Sequence, residues 1–569
     1  MKSRLENSFF LALIGTGVLV LLVSCLGSYH YALNDDILIK DILSGSYTGT
    51  PDGHCIQMLY PIGVLVALLY RIARGVPWFG LLLIVAQYGA CYLILERSMS
   101  MVAGIRKKLL VLTTECLVFF VFFSYWMLNL QYSMTCAFLV AAAILLFVTA
   151  KGRKDELLAI LLLVLAFCIR TEMLLLLSPF VAFVGFSYWR NQDKKNGRCF
   201  FDRDNLIHYG SFLGVVAVCF LLVLGIDHLA YAGREWSEFR NLFDARTKVY
   251  DFYGIPDYEG NEAIYAELGL GEEGYRLLDN YNYFFSPKVD AGLFEKLVDY
   301  SKENLKVGYF KVPIRQGIWD YRYWHAGKSD RLILLVLAAF YVATALLGLI
   351  QKNWSLILEL PMLFVVRSIL WLYLILRGRY PERIVFGLLL VELSCLCYLL
   401  LRELAGCHIG ETILVVICVV ALIGLRPQLT SLQEDKVLRS SVNKEWQELQ
   451  TYVSEHPENY YLLDIYSTVR YSETVWHADN TLKNYDYAGG WACKSPLQTD
   501  KLSKWKLTGE LEKLAQAEEL RFISYTARDV EWMEDWFYTQ NVPIALEETD
   551  SFGQDNGDLF RVYRLQRME

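Results

Sequence analysis

The chain has 569 residues, of which 55% are hydrophobic and 20% charged, with a formal net charge of −7. Soluble proteins run at roughly 45–50% apolar and about 25% charged residues, and here the excess is concentrated: 8–28, 109–150, 331–350 and 384–401 are almost free of charge, while 232–328 and 427–569 read as ordinary soluble protein. This excludes a soluble enzyme, a disordered chain, a disulfide-stapled scaffold, a transporter without an aqueous part and, with no dense basic block, a nucleic-acid binder.

A membrane span needs about 20 apolar residues, and cytoplasmic loops collect Lys and Arg. In chain order the spans fall at 8–28, 78–96, 109–128, 130–150, 157–169, 173–189, 207–230, 331–350, 354–376, 384–402 and 411–426. The first follows Lys2 and Arg4 and imitates a signal peptide, but its apolar run is too long and no small-residue cleavage site precedes Tyr29. It reads as a retained span with a cytoplasmic N-terminus. The basic loops 97–108, 151–156 and 190–203 then lie inside. The first loop 29–77, the large loop 232–328, the turn Arg377–Arg383 and the tail lie outside. This parity requires that 58–73 does not cross. It is short, starts near Pro61 and ends on Arg71 and Arg74, as an amphipathic or re-entrant helix would.

Basic flanks around 157–189 demand an even number of crossings, so two short helices meet at Arg170-Thr171-Glu172 on the outer side. In the first loop, 36–44 has helical spacing and 45–53 is turn-rich. A helix is expected over 291–304. The tail reads as a helix at 431–455, strands at 460–467, 520–525 and 558–565, and helical pattern at 508–518, which together suggest a small α/β domain. The fold class is therefore a polytopic α-helical membrane protein of about eleven spans (1–426) with a C-terminal extracytoplasmic α/β domain (427–569). Most of the 13 cysteines lie in apolar stretches, where they act as small hydrophobes, and no CxxC or Cys/His metal spacing occurs.

Asn34-Asp35-Asp36 follows the first span directly. Adjacent carboxylates beside a bilayer raise each other's pKa, which suits a general base or a divalent-cation site of hard oxygen ligands. The competing reading is an acidic cap, with Asn34 or Asp35 closing the helix over 36–44. A second cluster is Arg377, Arg379, Tyr380, Pro381, Glu382 and Arg383. Basic residues outside oppose the usual bias; a lipid phosphate held by guanidinium forks accounts for them, as does a plain pairing with Glu382. Arg170, Glu172, Glu359, Arg367 and Glu392 sit within or at the ends of spans, where a charge costs roughly 2.5–3.5 kcal/mol at a helix centre. Arg367 either serves a site or pairs with Glu392 or Glu172. Gly489-Gly490-Trp491 is a turn that either offers its aromatic to a sugar ring or merely turns. No catalytic triad, P-loop, HExxH or nucleotide-binding glycine pattern occurs, so an outer-face enzyme needs a membrane-carried activated substrate.

In this order the elements resemble the GT-C superfamily of membrane glycosyltransferases, of the protein O-mannosyltransferase and aminoarabinose-transferase type. Asp35-Asp36 resembles the family's acidic pair, Ser44-Gly45-Ser46-Tyr47 its small–Gly–aromatic turn, Tyr60-Pro61-Ile62-Gly63 its juxtamembrane helix and Arg379-Tyr380-Pro381 its outer Arg-Tyr element. The resemblance implies that Asp35 deprotonates the acceptor hydroxyl with Asp36 in support. It implies that Arg379, with Arg377 or Arg367, holds the phosphate of a polyprenyl-phosphate sugar, and that the reaction inverts the anomeric centre. Arg170, Glu172, His54 and Tyr380 are accessory candidates, and a divalent cation on Asp35/Asp36 is the one cofactor considered. The chain departs from the family in having Asp-Asp for Asp-Glu, and Gln57-Met58-Leu59-Tyr60-Pro61 where Lys-Pro-Pro is usual. The expected partners are the lipid-linked donor, a glycan, lipid or protein acceptor of a bacterial cell envelope, and membrane lipids, with no nucleic acid. The rival readings are a lipid-linked glycan polymerase or ligase and a non-enzymatic envelope-glycan transporter or scaffold.

Overall fold

The computed structural model describes residues 7–196, 202–323, 330–404, 409–477, 481–553 and 559–568. Long apolar helices dominate it. They are α1 (Ser8–Leu26), α4 (Trp78–Ser100), α5 (Ile105–Leu128, with a π turn at Phe119–Phe123), α8 (Thr171–Asn196), α9 (Arg203–Ala230), α13 (Asp330–Ile350), α14 (Trp354–Arg377), α15 (Glu382–Leu404) and α16 (Gly410–Ile423), which runs on into α17 (Leu425–Glu455). Among the described residues, these nine helical runs are long and apolar enough to cross a membrane. Large apolar side chains such as Leu21, Val85, Leu175, Leu221 and Val419 are exposed on them, as lipid-facing side chains are. The architecture is that of a polytopic helical protein.

Each of the eleven expected spans coincides with a helix, but two are short. The helices α6 (Tyr132–Val148) and α7 (Arg153–Ile169) have 17 residues each, about 26 Å at 1.5 Å per residue. α6 is nearly all buried, and α4, α7, α8 and α15 pack around it. Its Ala141-Ala142-Ala143 run lets neighbouring backbones approach closely. The helix α3 (Tyr60–Ile72) has 13 residues, about 20 Å, well short of a bilayer's hydrocarbon core. Its first N–H is held by Asp227 of α9 at 2.8 Å.

The boundary expected at 426/427 falls inside a continuous helical run. Pro427 is tolerated there because it sits in the first turn after Gly424, where no intrahelical N–H is needed. The run ends on a five-stranded sheet of β3 (Tyr460–Leu463), β4 (Tyr485–Tyr487), β5 (Leu520–Tyr525), β6 (Ile544–Phe552) and β7 (Phe560–Arg567), in the order β4-β3-β5-β7-β6. β4, β3 and β5 are parallel; β5–β7 and β7–β6 are antiparallel. β4 and β6 are absent from the sequence reading. β4 has three residues, and β6 is an edge strand whose Glu547–Ser551 stretch is exposed, so neither shows the apolar alternation of a half-buried strand.

The large loop is not independent of the tail. It contributes Leu242 of α10 (Arg234–Thr247) and, further on, Phe285, Phe294 and Val298 to one core with Phe522, Trp532 and Trp536, and Trp536 Nε1 donates to the Phe285 carbonyl at 2.8 Å. The helix expected over 291–304 is α11 (Ala291–Glu303), capped by Asp290, whose Oδ1 accepts the Leu293 N–H.

Candidate functional site

The first loop carries α2 (Asn34–Ser44). It starts after extended Leu33 with no side-chain cap. Asn34 and Asp35 therefore do not cap it, and the competing cap reading falls. Asp35 and Asp36 lie in the first turn, where the positive end of the helix dipole favours carboxylates. The helix stops at Gly45, whose φ of +89° is left-handed and whose N–H bonds back to the Asp41 and Ile42 carbonyls. A Cβ there would meet the Thr50–Pro51 backbone at 2.7 Å.

Two short strands, β1 (His30–Tyr31) and β2 (Asn129–Leu130), pair in parallel and bring the start of α2 against the start of α6. Asp36 becomes fully buried there. Its Oδ1 accepts the Tyr132 N–H at 3.3 Å, and its Oδ2 has no partner. Burial and the adjacent Asp35 push its carboxyl well above the usual range. Asp35 is half-buried at the rim. Burial raises its carboxyl too, but the guanidinium groups of Arg383, Arg170 and Arg246 oppose that rise, while Asp251 adds to it. Two neighbouring carboxyls are thus set apart, with Asp36 the more readily protonated and Asp35 the more readily ionised.

The three arginines come from distant parts of the chain. Arg170 lies in the turn between α7 and α8, where it pairs with Glu172 at 3.0 Å, donates to the Gln57 carbonyl and Oε1 at 3.1 and 2.6 Å, and stacks over the Tyr132 ring. Arg246 ends α10 and is buried. It donates to the Tyr281 hydroxyl and to Thr247 Oγ1, and its Nε has no partner. Arg383 opens α15, is half-buried, and makes no hydrogen bond or ion pair among the described residues. The site expectation omitted Arg246 and Arg383. Arg383 was legible as the fourth residue after Arg379 in the same basic turn; nothing in the sequence around Arg246 marks it.

The other candidates scatter. Arg379 is bound to Asp251 at 2.6 Å. Arg377 is buried between the Phe252 and Tyr309 rings, 4.1 and 3.8 Å from their centroids, and donates to the Tyr309 carbonyl. Tyr380 is exposed beside them. Arg367 is ten residues from Arg377, about 15 Å along α14, and is paired with Glu392 at 3.0 Å; the Tyr321 and Tyr341 hydroxyls complete that pair. Glu359 is held by Arg402 at 2.9 Å and Arg190 at 3.6 Å. His54 binds Asp52 at 2.6 Å through Nδ1, contacts the Ala230 carbonyl at 3.3 Å through Nε2, and stacks on Trp236. It ties the first loop to α9 and α10. Trp491 is buried, and Gly489 touches the Tyr281 backbone so closely that a Cβ would lie 1.8 Å from its carbonyl oxygen. That turn packs; it presents no aromatic ring. No group of three or more His, Cys, Asp or Glu side chains suited to a metal ion occurs among the described residues, so Asp35 and Asp36 lack a third protein ligand of these kinds.

The far half of α2 rests on the tail. Lys40 bonds Glu473 at 2.6 Å and Asp41 at 2.8 Å, and Lys483 bonds Asp41 at 2.8 Å and faces Glu473 at 3.6 Å. All four are buried. Tyr47, just past α2, donates to Asp486 at 2.8 Å, and the Lys483 N–H bonds the Ser46 carbonyl. The helix with the two carboxyls is therefore fixed from the bundle on one side and from the sheet on the other. A half-buried carboxylate within the electrostatic field of three guanidinium groups can take a proton from a hydroxyl while an anion is held nearby. Compared with known proteins, the chain matches no family model, no curated protein and no solved structure.

Proposed function

We propose that the chain is a GT-C-like glycosyltransferase that moves a sugar from a polyprenyl-phosphate donor to a cell-envelope acceptor on the outer face of the membrane. The observation that carries this reading is the placement of Asp35 within the field of Arg170, Arg246 and Arg383. Asp35 takes the acceptor's hydroxyl proton as the new bond forms to the anomeric carbon. The bond from that carbon to the phosphate oxygen breaks, and the phosphate leaves with the electron pair. Fixed guanidinium groups stabilise that departing charge without donating a proton. Arg383 is the first phosphate contact because no hydrogen bond or ion pair among the described residues engages it, and Arg379 joins by exchanging Asp251 for the phosphate. Asp36, kept protonated, orients Asp35 or the acceptor. In this arrangement the chain crosses the membrane eleven times from a cytoplasmic N-terminus, and the loop 232–328 and the tail form one extracytoplasmic body.

The polymerase or ligase reading gains one observation, that Arg246 comes from the large loop. The two readings part on whether Asp35 is essential. Binding of radiolabelled polyprenyl phosphate to the purified protein tests the phosphate site. Losing a charge-assisted contact of about 1.5–3 kcal/mol weakens binding roughly tenfold or more, so Arg383→Ala is expected to bind that much more weakly while Asp35→Asn binds normally. Unchanged affinity in Arg383→Ala would remove Arg383 from the phosphate site.

A further inference from the structure

Residues 305–322, between α11 and α13, hold six large apolar side chains in water-accessible positions: Leu305, Tyr309, Phe310, Ile314, Ile318 and Trp319, each 42–67% exposed. Lys306, Lys311, Arg315 and Arg322 alternate with them, against Asp320 as the sole acid, in a chain whose net charge is −7. The second half forms the helix α12 (Ile314–Tyr323). The segment does not project freely; it lies along α14. The Val312 N–H bonds the Leu376 carbonyl at 3.1 Å, a Cβ on Gly317 would stand 2.5 Å from Leu376 Cδ2, and the Tyr321 hydroxyl meets Ser368 Oγ at 2.9 Å. Leu376 and Ser368 are eight residues apart, about 12 Å along the helix axis. The segment thus follows the last two turns of a span-length helix.

We infer that 305–322 is a membrane-interface anchor: its aromatic and aliphatic side chains enter the lipid, and Lys306, Lys311, Arg315 and Arg322 hold anionic headgroup phosphates. Tyr and Trp with interspersed basic residues match the boundary between headgroups and chains, and basic residues there are attracted to an anionic surface. The partner is a lipid surface and not a second copy of the chain, because the segment lies along the end of a membrane-length helix. Lys311 strengthens the case. Burial lowers its ammonium pKa, Arg377 and Arg379 lower it further, and Asp251, paired with Arg379, opposes them. Three cations share that spot with a single acid, and headgroup phosphate offsets the excess positive charge.

The test needs no turnover, so it fails or succeeds apart from the glycosyltransferase reading. A benzophenone amino acid is encoded at Ile318 in the full chain, with Glu303 as the water-facing control. The protein is placed in nanodiscs of phosphatidylglycerol with phosphatidylcholine, or of phosphatidylcholine alone, and irradiated. Ile318 is expected to capture labelled lipid and Glu303 not. Capture of phosphatidylglycerol at Lys306→Gln/Lys311→Gln/Arg315→Gln/Arg322→Gln is expected to fall at least fivefold. A second arm uses the unaltered sequence and does not depend on the folding of that variant: capture should favour phosphatidylglycerol over its mole fraction. Cross-links from Ile318 to a second copy of the chain, or no lipid capture, would overturn the anchor. Capture in proportion to mole fraction would overturn the anionic preference.

Discussion

Replacing Glu473 by Gln breaks the ring of buried charges beneath α2. In the native ring each lysine faces two acids, and Glu473 also accepts from Trp446 Nε1 at 3.3 Å and Gln450 Nε2 at 2.9 Å. A glutamine keeps the volume but removes one negative charge and places an N–H donor or a neutral oxygen 2.6 Å from the Lys40 ammonium. Two buried cations then share Asp41 alone. Removing one partner of a buried ion pair costs about 3–5 kcal/mol, because the remaining charge stays out of water. For a cooperative unit of about 200 residues that lowers Tm by roughly 6–20 °C.

Scanning fluorimetry in nanodiscs reads the shift, and hydrogen exchange over 34–47 is expected to rise with it. Lys40→Met/Glu473→Met leaves Lys483 and Asp41 as a balanced pair at 2.8 Å, so much of the loss should return. The pH dependence has a definite sign. Burial pushes the Glu473 carboxyl up, but Lys40 and Lys483 overcome it and hold it well below the usual range. Its contribution is full above the ordinary glutamate value near 4.3 and is lost as pH falls towards the depressed value; the variant should lack that acid slope. A shift worth less than about 1 kcal/mol, or a double variant no more stable than the single one, would refute the reasoning.

Asp36→Asn should behave oppositely. The raised Asp36 carboxyl contributes most below the ordinary aspartate value near 3.9 and costs stability as pH rises, so the variant should gain Tm relative to wild type from pH 4 to 7. Gly45→Ala forces a left-handed residue against the Thr50–Pro51 backbone and should cost at least about 1–2 kcal/mol, read as a lower Tm. Arg367→Met strands Glu392 inside the bundle and should cost about 3–5 kcal/mol, whereas Arg367→Met/Glu392→Met should recover most of it. If that double variant still binds polyprenyl phosphate normally, Arg367 belongs to the fold and not to the donor site.

The spans were legible because about 20 uncharged residues in a row have few alternatives to a membrane helix. The helix at 36–44 and the turn at Gly45 were legible from apolar spacing and a glycine that a left-handed stop requires. Long-range pairing was not. Nothing local says that Lys40 meets Glu473 across more than 400 residues, or that the large loop shares a core with the tail. The acidic pair was found because adjacency in sequence is adjacency in space. Its counter-charges were found only in part, because Arg170 of the α7–α8 turn, Arg246 of α10 and Arg383 of α15 are brought together only by the fold. Arg377 and Arg379 had the right chemistry by type, but an aromatic sandwich and Asp251 already occupy them.

The central claim is that Asp35 is the base of a transfer from a lipid-phosphate sugar. The direct measurement is consumption of polyprenyl-phosphate-linked sugar by the purified wild-type protein and by Asp35→Asn, each with an envelope extract as acceptor source. The loss of a positioned general base predicts turnover reduced by about 10²–10⁴-fold with donor binding retained. Turnover equal to wild type in Asp35→Asn, with the donor bound and consumed, would contradict the claim.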